Sequence, residues 1–378
     1  MTTGSVRVAH ILWSGFLGGA ERSVLDLAAG LPQAGFESFV IFLNKAESLA
    51  VPLKKAGIPF VEVGMKNGFS FLRIKNLFTV LRSGDFNIIH EQIGTKWSRL
   101  FFGLFFPGAF LFYTIQNSRF PQTFTWREML LERASKSMVR RYIAVSDAIK
   151  NAYIEHVKVP EDKIVTIPNF VDVSRFDGIS ENMRINVRNS LGLSAHDIML
   201  LSIGRLVEQK AFDRLIALCL PVIRENGNVR LFIVGRGPME KNLQEIITEN
   251  NIAGRVILLG ERSDVASLLK ACDIFVFAPR YESFGIVVAE AMAAGKPVVT
   301  VKIPAIDEII TNNEDGIMVN PQDNANDAFA SAIRRLITSP DIRERIGSLA
   351  IKKIRNTFSK EVVIKKIVFE YLNTLHFQ

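Results

Sequence analysis

The stretch IFVFAPRYESFGIVVAEAMAAGKPVVTV, residues 274–301, contains a complete strand–helix–strand pattern. An apolar run over Ile274–Ala278 predicts a first strand, and a second such run covers Pro297–Val301. Between them, the apolar spacing of Phe284–Ala293 predicts a helix, with Ser283 as its N-cap because a side-chain oxygen can accept a free backbone N–H there. Strands joined by a crossover helix pair in parallel, so this stretch predicts a parallel α/β sheet.

The same alternation extends over the whole chain in two sets, and 378 residues are enough for two domains. The predicted strands lie at 6–12, 38–42, 60–63, 88–90, 110–115, 142–145 and 164–167, and at 199–203, 230–234, 256–259, 274–278, 297–301 and 316–319. A polar segment near 173–193 separates the sets and predicts domains over 1–173 and 174–359. The expected fold class is therefore α/β, with two Rossmann-like, doubly wound parallel-sheet domains facing each other across a cleft.

The composition excludes several classes of protein. With 48% hydrophobic and 22% charged residues the chain is not disordered, and two cysteines give no disulfide framework, which indicates a reducing, cytosolic compartment. The first residues lack the order of a signal peptide. The most apolar run, Leu100–Tyr113, is interrupted by Pro107-Gly108 and is too short for a bilayer span, which needs about 20 residues. We therefore expect no transmembrane segment.

The formal net charge of +8 is unevenly distributed, because residues 51–150 contain 15 basic and 6 acidic side chains. A basic segment rich in phenylalanine suits an anionic membrane surface, and a solvated basic face without a partner is the alternative. A nucleic-acid partner is not expected, since no known reader motif accompanies the basic residues.

Ligands of open parallel sheets bind beyond the carboxyl ends of the strands, so the loops after strands are the candidate sites. Gly18 and Gly19 follow the first strand and could let backbone amides approach an anion, or could form a tight turn. Arg205 and Lys210 follow a strand of the second set and could bind a diphosphate, or could belong to an exposed basic loop. Gly235 begins a third such loop, for which a structural turn is the favoured interpretation.

A fourth loop lies between Glu282 and Glu290. The backbone amides of Phe284 and Gly285 would face a phosphate or sugar hydroxyls at the start of a helix. Glu290 lies on an otherwise apolar helix, where a carboxylate is costly unless it is hydrogen-bonded. Ribose hydroxyls could supply those hydrogen bonds, and pairing with a nearby arginine is the alternative.

These residues together resemble the retaining glycosyltransferases of family 4. The spacing Glu282-x7-Glu290 resembles the family signature, Gly204-Arg205 with Lys210 resembles its G-R-x4-K loop, and Gly18-Gly19-Ala20-Glu21 is similar to its G-G-x-E loop. Four further matches follow the family's order: Val145-Ser146, Ile167-Pro168-Asn169 with Val171-Asp172, Gly235-x-Gly237-Pro238, and Lys296-Pro297-Val298-Val299.

The resemblance implies the two-domain GT-B fold, with the donor nucleotide sugar in the C-terminal domain and the acceptor in the N-terminal domain, onto which the helix at 360–378 packs back. Arg205 and Lys210 would neutralise the departing diphosphate and Glu282 would hold a donor-sugar hydroxyl, which makes these three the catalytic candidates. Glu290 would hold the ribose hydroxyls. The full donor-binding set implied is Gly18, Gly19, Gly204, Arg205, Lys210, Gly235, Glu282, Ser283, Phe284, Gly285 and Glu290.

The resemblance also implies retention of the anomeric configuration and no metal or other cofactor, in keeping with a sequence that has no Asp-x-Asp. The chain departs from the family in the loop at 114–118, where Gln116 and Asn117 replace a histidine commonly found near the donor sugar. His90 lacks the second histidine of a His-x-His pattern, Ala211 replaces a loop glycine and Phe170 replaces a hinge glycine. His90, Gln116 and Asn117 remain candidates for contact with the acceptor or the sugar, and a structural role is the alternative for His90.

The predicted function is transfer of a hexosyl or N-acetylhexosaminyl group, from a UDP-sugar rather than a GDP-sugar, to a lipid-linked or cell-envelope glycan. The protein would act in the cytoplasm, peripherally on the inner face of the cytoplasmic membrane. Candidates for the membrane face are Lys66, Arg73, Lys75, Arg82, Lys96, Arg99, Phe69, Phe71, Phe101, Phe102 and Phe105. For the phenylalanines, a place in the core of the domain is the alternative, and about half of them are expected there. The alternatives are a nucleotide-sugar epimerase of the same fold, which would need histidine and carboxylate acid–base pairs, and a non-catalytic membrane-associated subunit.

Overall fold

A computed structural model describes residues 5–15, 18–65, 71–116, 120–322 and 325–376. The chain forms two compact units, each built around one parallel sheet. The first unit comprises the chain up to Phe170 together with the residues from Lys360 onward, and the second is Val171–Ser359. The boundary therefore lies three residues before the position expected from the sequence.

The sheet of the first unit has seven parallel strands within the described residues, in the order β3-β2-β1-β4-β5-β6-β7. They are β1 (Val6–Leu12), β2 (Phe36–Phe42), β3 (Phe60–Glu62), β4 (Ile88–Ile93), β5 (Phe110–Ile115), β6 (Arg141–Ala144) and β7 (Ile164–Thr166). The strand order reverses at β1, which lies between β2 and β4. The loops after β1 and β4 therefore diverge, and this is where doubly wound sheets bind ligands.

Helices cover this sheet. They are α1 (Gly19–Gly30), α2 (Ala50–Lys55), α3 (Phe71–Gly84), α4 (Lys96–Phe105), α5 (Trp126–Ser135) and α6 (Asp147–Ala152), the last continued by a π-helical turn over Tyr153–Val157. Short 3₁₀ turns lie at Leu31–Ala34, Glu47–Leu49, Pro121–Thr123 and Glu161–Lys163.

The second unit contains six parallel strands in its described part, in the order β10-β9-β8-β11-β12-β13. They are β8 (Ile198–Ile203), β9 (Val229–Val234), β10 (Val256–Gly260), β11 (Ile274–Phe277), β12 (Val298–Val301) and β13 (Ile317–Val319). Its helices are α7 (Ser174–Asp177), α8 (Glu181–Ser190), α9 (Phe212–Glu225), α10 (Glu240–Glu249), α11 (Val265–Ala271), α12 (Ile286–Ala293), α13 (Pro304–Asp307), α14 (Ala325–Thr338) and α15 (Pro340–Lys353), with a 3₁₀ turn at Glu208–Lys210 and a π-helical turn at Ile354–Phe358. The order reverses between β8 and β11.

The last helix, α16 (Lys360–His376), belongs to the first unit. Its side chains Val363, Ile367 and Tyr371 are buried in one apolar cluster with Leu27 and Phe36. Full burial of an apolar side chain of this size contributes about 1.5–3 kcal/mol, so the helix is an integral part of this core.

The crossover helix of the opening stretch begins later than the sequence predicts. Gly285, rather than Ser283, is the N-cap of α12, and its φ of 99° is a left-handed conformation that favours glycine. A Cβ on Gly285 would also lie 2.5 Å from Ile306 Cδ1. The prediction that Ser283 caps the helix was therefore wrong, because backbone conformation and packing at Gly285 determine where the helix begins.

The apolar run at 100–113 forms the end of α4 and the strand β5, as predicted. No helix within the described ranges combines the length and the apolar content needed to cross a bilayer. Of the side chains proposed for a membrane face, Arg99, Phe101 and Phe102 are buried, so that assignment was wrong for them. Arg73, Lys75, Arg82 and Phe105 are exposed. Lys66 and Phe69, and the side chains of Phe71 and Lys96, lie outside the described part of the chain.

Candidate functional site

Two loops meet at the point where the strand order of the second sheet reverses. One follows β8 and contains Gln209, and the other follows β11 and contains Arg280 and Tyr281. The Arg280 backbone N–H donates to the Gln209 carbonyl at 2.9 Å, and Gln209 Nε2 donates to the Tyr281 carbonyl at 3.1 Å. These hydrogen bonds hold the two loops together, so the residues that they carry have fixed relative positions.

Lys210 and Glu282 form an ion pair across these two loops. Both are largely removed from solvent, with 16% and 7% of the respective side chain exposed. Lys210 Nζ also lies 5.5 Å from the centroid of the Phe277 ring. The structure therefore brings together two of the three predicted catalytic residues in a partly desolvated environment, where electrostatic interactions are stronger than in water.

Arg205, the third predicted catalytic residue, is exposed on the loop after β8. No side chain within the described residues forms a hydrogen bond or ion pair with its guanidinium. Next to it, the Gly204 backbone lies against Gly235. A Cβ on Gly235 would lie 1.9 Å from the Gly204 carbonyl oxygen. The close approach of the two backbones explains the glycine at 235, which supports the structural interpretation of that loop.

The loop that leads into α12 presents open backbone groups. Within the described residues, the N–H groups of Phe284 and Gly285 donate to no acceptor, which agrees with the free amides expected from the sequence. The Phe284 side chain is buried and its ring centroid lies 5.7 Å from that of Phe358. Ser283 is also buried. The side chains anchor the loop and leave two donors available at the start of a helix, where anions are favoured.

Glu290, the second glutamate of the motif, pairs with Arg175 at 2.7 Å between Oε1 and Nη1. The sequence had offered pairing with a nearby arginine as an alternative to ribose binding, and it had not singled out Arg175. The only available signal was that Arg175 closely follows the Val171-Asp172 motif. In this structure the arginine occupies one oxygen of the carboxylate.

The glycine loop of the first unit leads directly into α1. Gly18 is the N-cap and Gly19 the first helical residue, so the amides of this region include the free N–H groups of a helix start. A Cβ on Gly18 would lie 2.6 Å from Glu21 Oε2, so the Glu21 carboxylate lies against the start of the helix. The Glu21 carboxylate thus already lies where a helix start favours negative charge.

His90 is not available to a ligand in this structure. It is fully buried on β4, its Nδ1 is hydrogen-bonded with the Tyr371 hydroxyl, and its Nε2 lies 2.6 Å from Thr114 Oγ1. Burial and the neighbouring His10 hold the pKa of His90 well below its usual value, and burial lowers that of His10 to about 3. Of the two roles considered for His90, these contacts favour the structural one, because both ring nitrogens are hydrogen-bonded within the core. The same burial removes two of the histidines that an epimerase could use.

Gln116 lines a small cavity at the carboxyl end of the first sheet, together with Ser23, Gln92 and Asn169. Its backbone N–H donates to the Thr114 carbonyl at 3.1 Å. The amide side chains give this cavity hydrogen-bonding character. Asn117, the neighbouring candidate, lies outside the described residues.

A buried ionic cluster between α4, α5 and β4 was not anticipated from the sequence. Arg99 Nη2 donates to Glu132 Oε2 at 2.6 Å and its Nη1 lies 3.6 Å from Glu91 Oε1, and all three side chains are at most 2% exposed. Ser98 Oγ donates to Glu91 Oε2 at 3.1 Å. Burial raises the pKa of Glu91 to about 7, although Arg99 acts in the opposite direction. One arginine here serves two carboxylates.

No group of three or more His, Cys, Asp or Glu side chains within the described ranges is arranged to hold a metal ion. Both cysteines, Cys219 and Cys272, are buried and free.

Two family models match the chain. The model described as Glycosyltransferase Family 4 matches residues 17–175, and the model described as Glycosyl transferases group 1 matches residues 183–353. The chain belongs to the family 4 glycosyltransferases. This assignment confirms the resemblance seen in the sequence motifs, and the two matched ranges together contain every predicted site residue.

Individual relatives agree with this assignment. An uncharacterised glycosyltransferase of Methanocaldococcus jannaschii is 34% identical over 61% of this chain and 59% of its own length. The Escherichia coli UDP-Gal:alpha-D-GlcNAc-diphosphoundecaprenol alpha-1,3-galactosyltransferase is 23% identical over 98% of each chain. The matches to the first curated relatives span between 50% and 64% of those proteins.

The crystal structure of Anabaena Alr3699/HepE in complex with UDP-glucose aligns with this family 4 chain at a TM-score of 0.84. The sequences are 21% identical, and the alignment covers 97% of this chain and 99% of the other. Together with the two parallel sheets, this likeness confirms the predicted GT-B fold class.

Proposed function

We propose that this protein transfers a hexosyl or N-acetylhexosaminyl group from a UDP-sugar to a lipid-linked or cell-envelope glycan, with retention of the anomeric configuration. The observation that carries the proposal is the pairing of Lys210 with Glu282 beside the exposed Arg205, at the reversal point of the second sheet. UDP-glucose bound to the Anabaena neighbour and the UDP-galactose donor of the Escherichia coli relative support uridine over guanosine.

The pair suggests how the site responds to the donor. Before the donor binds, Glu282 compensates the charge of Lys210. A diphosphate would attract both Arg205 and Lys210, and the Glu282 carboxylate would then be available for a hydroxyl of the donor sugar. As the glycosidic bond breaks, negative charge grows on the diphosphate, and cations already in place stabilise that charge without reorganisation.

The backbone N–H groups of Phe284 and Gly285 would donate further hydrogen bonds to the same diphosphate. Two side-chain cations and two backbone donors offer the stabilisation that a divalent ion supplies in other enzymes, so the proposal includes chemistry that needs no metal. Addition of a chelator should then leave the transfer rate unchanged. A rate that falls as the chelator concentration rises would contradict metal-independent transfer.

Release of UDP in the presence of a GlcNAc-diphospholipid acceptor tests the activity, with UDP-galactose, UDP-glucose and UDP-N-acetylglucosamine as donors. Lys210→Ala and Glu290→Ala should each lower the rate, Lys210→Ala by about 100-fold or more, since removal of one transition-state donor typically costs that much. Lys241→Ala is the matched control, because Lys241 is 90% exposed and forms an ion pair with Glu245 on the surface of α10. Wild-type rates in both site variants would refute the proposal.

Donor choice is tested separately by thermal shift. A ligand that binds only the native state raises the unfolding temperature, so UDP-sugars should stabilise the protein more than GDP-sugars at equal concentration. A larger shift with GDP-sugars would overturn the uridine preference and leave the transferase proposal standing.

The membrane part of the proposal rests on the surface of α4 and α5, which pack against each other. This α4–α5 surface exposes apolar side chains next to basic ones: Leu104, Phe105, Trp126, Leu130 and Leu131 with Arg127 and Arg133. Trp126 is 72% exposed. Tryptophan and leucine beside arginine are typical of helices that lie in the interface of an anionic bilayer, so we assign this surface to the inner face of the cytoplasmic membrane.

Sedimentation with phosphatidylglycerol-containing vesicles tests this surface. The wild-type protein should pellet with these vesicles and less with phosphatidylcholine alone, and Trp126→Glu with Leu130→Glu should weaken binding by about 10-fold or more. Phe369→Glu is the control, since Phe369 is 61% exposed on α16, away from this surface in the fold. A wild-type protein that stays in the supernatant would refute the membrane assignment.

A further inference from the structure

Arg175 holds the carboxylate of Glu290 in a defined position. Its Nη1 donates to Glu290 Oε1 at 2.7 Å, and the side chains of Arg175 and Glu290 are 23% and 15% exposed. Charge-assisted hydrogen bonds of this kind are about twice as strong as neutral ones. Within the described residues, the second oxygen of Glu290 accepts no hydrogen bond.

The backbone around Arg175 fixes the direction of its side chain. Asp172 Oδ1 accepts hydrogen bonds from the Ser174 hydroxyl at 2.6 Å and from the Ser174 N–H at 3.2 Å, which closes the turn into α7. Phe176, the next residue, is buried and anchors the helix in the second unit. Arg175 is therefore held between a closed turn and a buried anchor.

Glu290 needs such a partner because its helix is otherwise apolar. Ala289, Ala291 and Met292 are buried around it, and a carboxylate in these surroundings loses hydration. Without a hydrogen-bond donor nearby, the carboxylate would be partly desolvated and without a fixed orientation. A carboxylate without a fixed orientation would no longer present a defined acceptor to a ligand.

We propose that Arg175 is a positioning residue for nucleoside recognition: it orients Glu290, with one oxygen occupied and the other left for the ribose hydroxyls of the donor. The inference rests on the proposed function, in which Glu290 binds ribose. Because the carboxylate is ordered before the donor arrives, less conformational entropy is lost on binding. Arg175 itself would contact no reacting atom.

Calorimetric titration with UDP and with 2′,3′-dideoxy-UDP tests this role. For the wild type, loss of both hydroxyls should weaken binding by about 30-fold, as expected for hydrogen bonds to a charged group. In Arg175→Gln, UDP should bind about 10-fold more weakly while dideoxy-UDP binds nearly as before, since only the hydroxyls use the positioned oxygen. Arg175→Lys should recover part of the difference.

Arg355→Gln is the matched control, because Arg355 pairs with Asp177 of the same helix at 2.9 Å and does not contact Glu290. It should bind both nucleotides as the wild type does. In transfer assays, Arg175→Gln should raise the KM for the donor and leave kcat nearly unchanged. If Arg175→Gln and Arg175→Lys weaken UDP and dideoxy-UDP equally, Arg175 only maintains the fold and the inference is overturned.

A wild-type protein that binds both nucleotides alike would also overturn the inference, since Glu290 would then not recognise ribose. The proposed transferase activity would be unaffected by that result, because sugar transfer by the wild type is measured independently. If the wild type distinguishes UDP from dideoxy-UDP but transfers no sugar, the inference about Arg175 would stand and the proposed transferase activity would be contradicted.

Discussion

Replacement of Glu91 by glutamine should remove one pH-dependent component of stability from the first unit. Glu91 and Glu132 share Arg99, which lies 2.6 Å from Glu132 and 3.6 Å from Glu91. Burial raises the pKa of Glu91 from 4.5 to about 7, although Arg99 acts in the opposite direction. Between these pH values the folded protein keeps a proton that the unfolded chain has lost.

The sign and size follow from linkage. A raised carboxyl pKa gives stability that is complete below about pH 4.5 and is lost as the pH rises through about 7. The difference between the two pKa values corresponds to about 3 kcal/mol of unfolding free energy. In Glu91→Gln the amide resembles the protonated carboxyl, so the variant should exceed the wild type by less than about 1 kcal/mol near pH 5 and by up to about 3 kcal/mol near pH 8.

Tryptophan fluorescence reports on the right unit, because Trp13, Trp97 and Trp126 are the three tryptophans of the chain and all lie in the first unit. Urea unfolding of the wild type and Glu91→Gln between pH 5 and 8 gives the difference directly. The lowered pKa of His10 acts in the opposite direction, and it cancels because both proteins contain this residue. Glu37→Gln, at an exposed side chain, is the control. A difference between wild type and Glu91→Gln that does not vary with pH would refute the reasoning.

Three further changes have expected outcomes. Arg99→Met should lower the unfolding free energy measured in urea by about 3–5 kcal/mol, because it leaves two buried carboxyl groups without their cationic partner. A loss below about 1 kcal/mol would contradict a buried ionic cluster. Gly285→Ala should lower the unfolding free energy by at least about 1–2 kcal/mol, since alanine is strained at a φ of 99° and its Cβ would lie 2.5 Å from Ile306 Cδ1. Thermal unfolding measures this loss, and an unchanged stability would show that the left-handed turn is not retained. Tyr371→Phe should lower the unfolding free energy measured in urea by about 1–3 kcal/mol, because it leaves His90 Nδ1 buried without its hydroxyl partner. An unchanged unfolding free energy would contradict that hydrogen bond.

The parallel α/β class could be predicted from the sequence because the patterns that indicate it extend over only a few residues each. Each apolar run of about five residues followed by an amphipathic stretch predicts one strand and one helix, and the structure places strands at the predicted runs. The four glycine- or charge-rich loops were predictable for the same reason, since residues after strands lie at one edge of a parallel sheet. Arg205, Lys210, Glu282 and Glu290 could therefore be selected before any contact was known.

Contacts between distant segments could not be obtained in this way. The Arg175–Glu290 pair joins residues 115 positions apart, and the hydrogen bond between His90 and Tyr371 joins residues 281 apart. The buried position of Arg99 was likewise hidden, because an arginine in a basic segment has the same local pattern whether it faces solvent or two carboxylates. Periodicity and turn residues constrain the backbone over a few positions, whereas burial and charge pairing depend on which surfaces the folded chain brings together, and only the tertiary structure decides that.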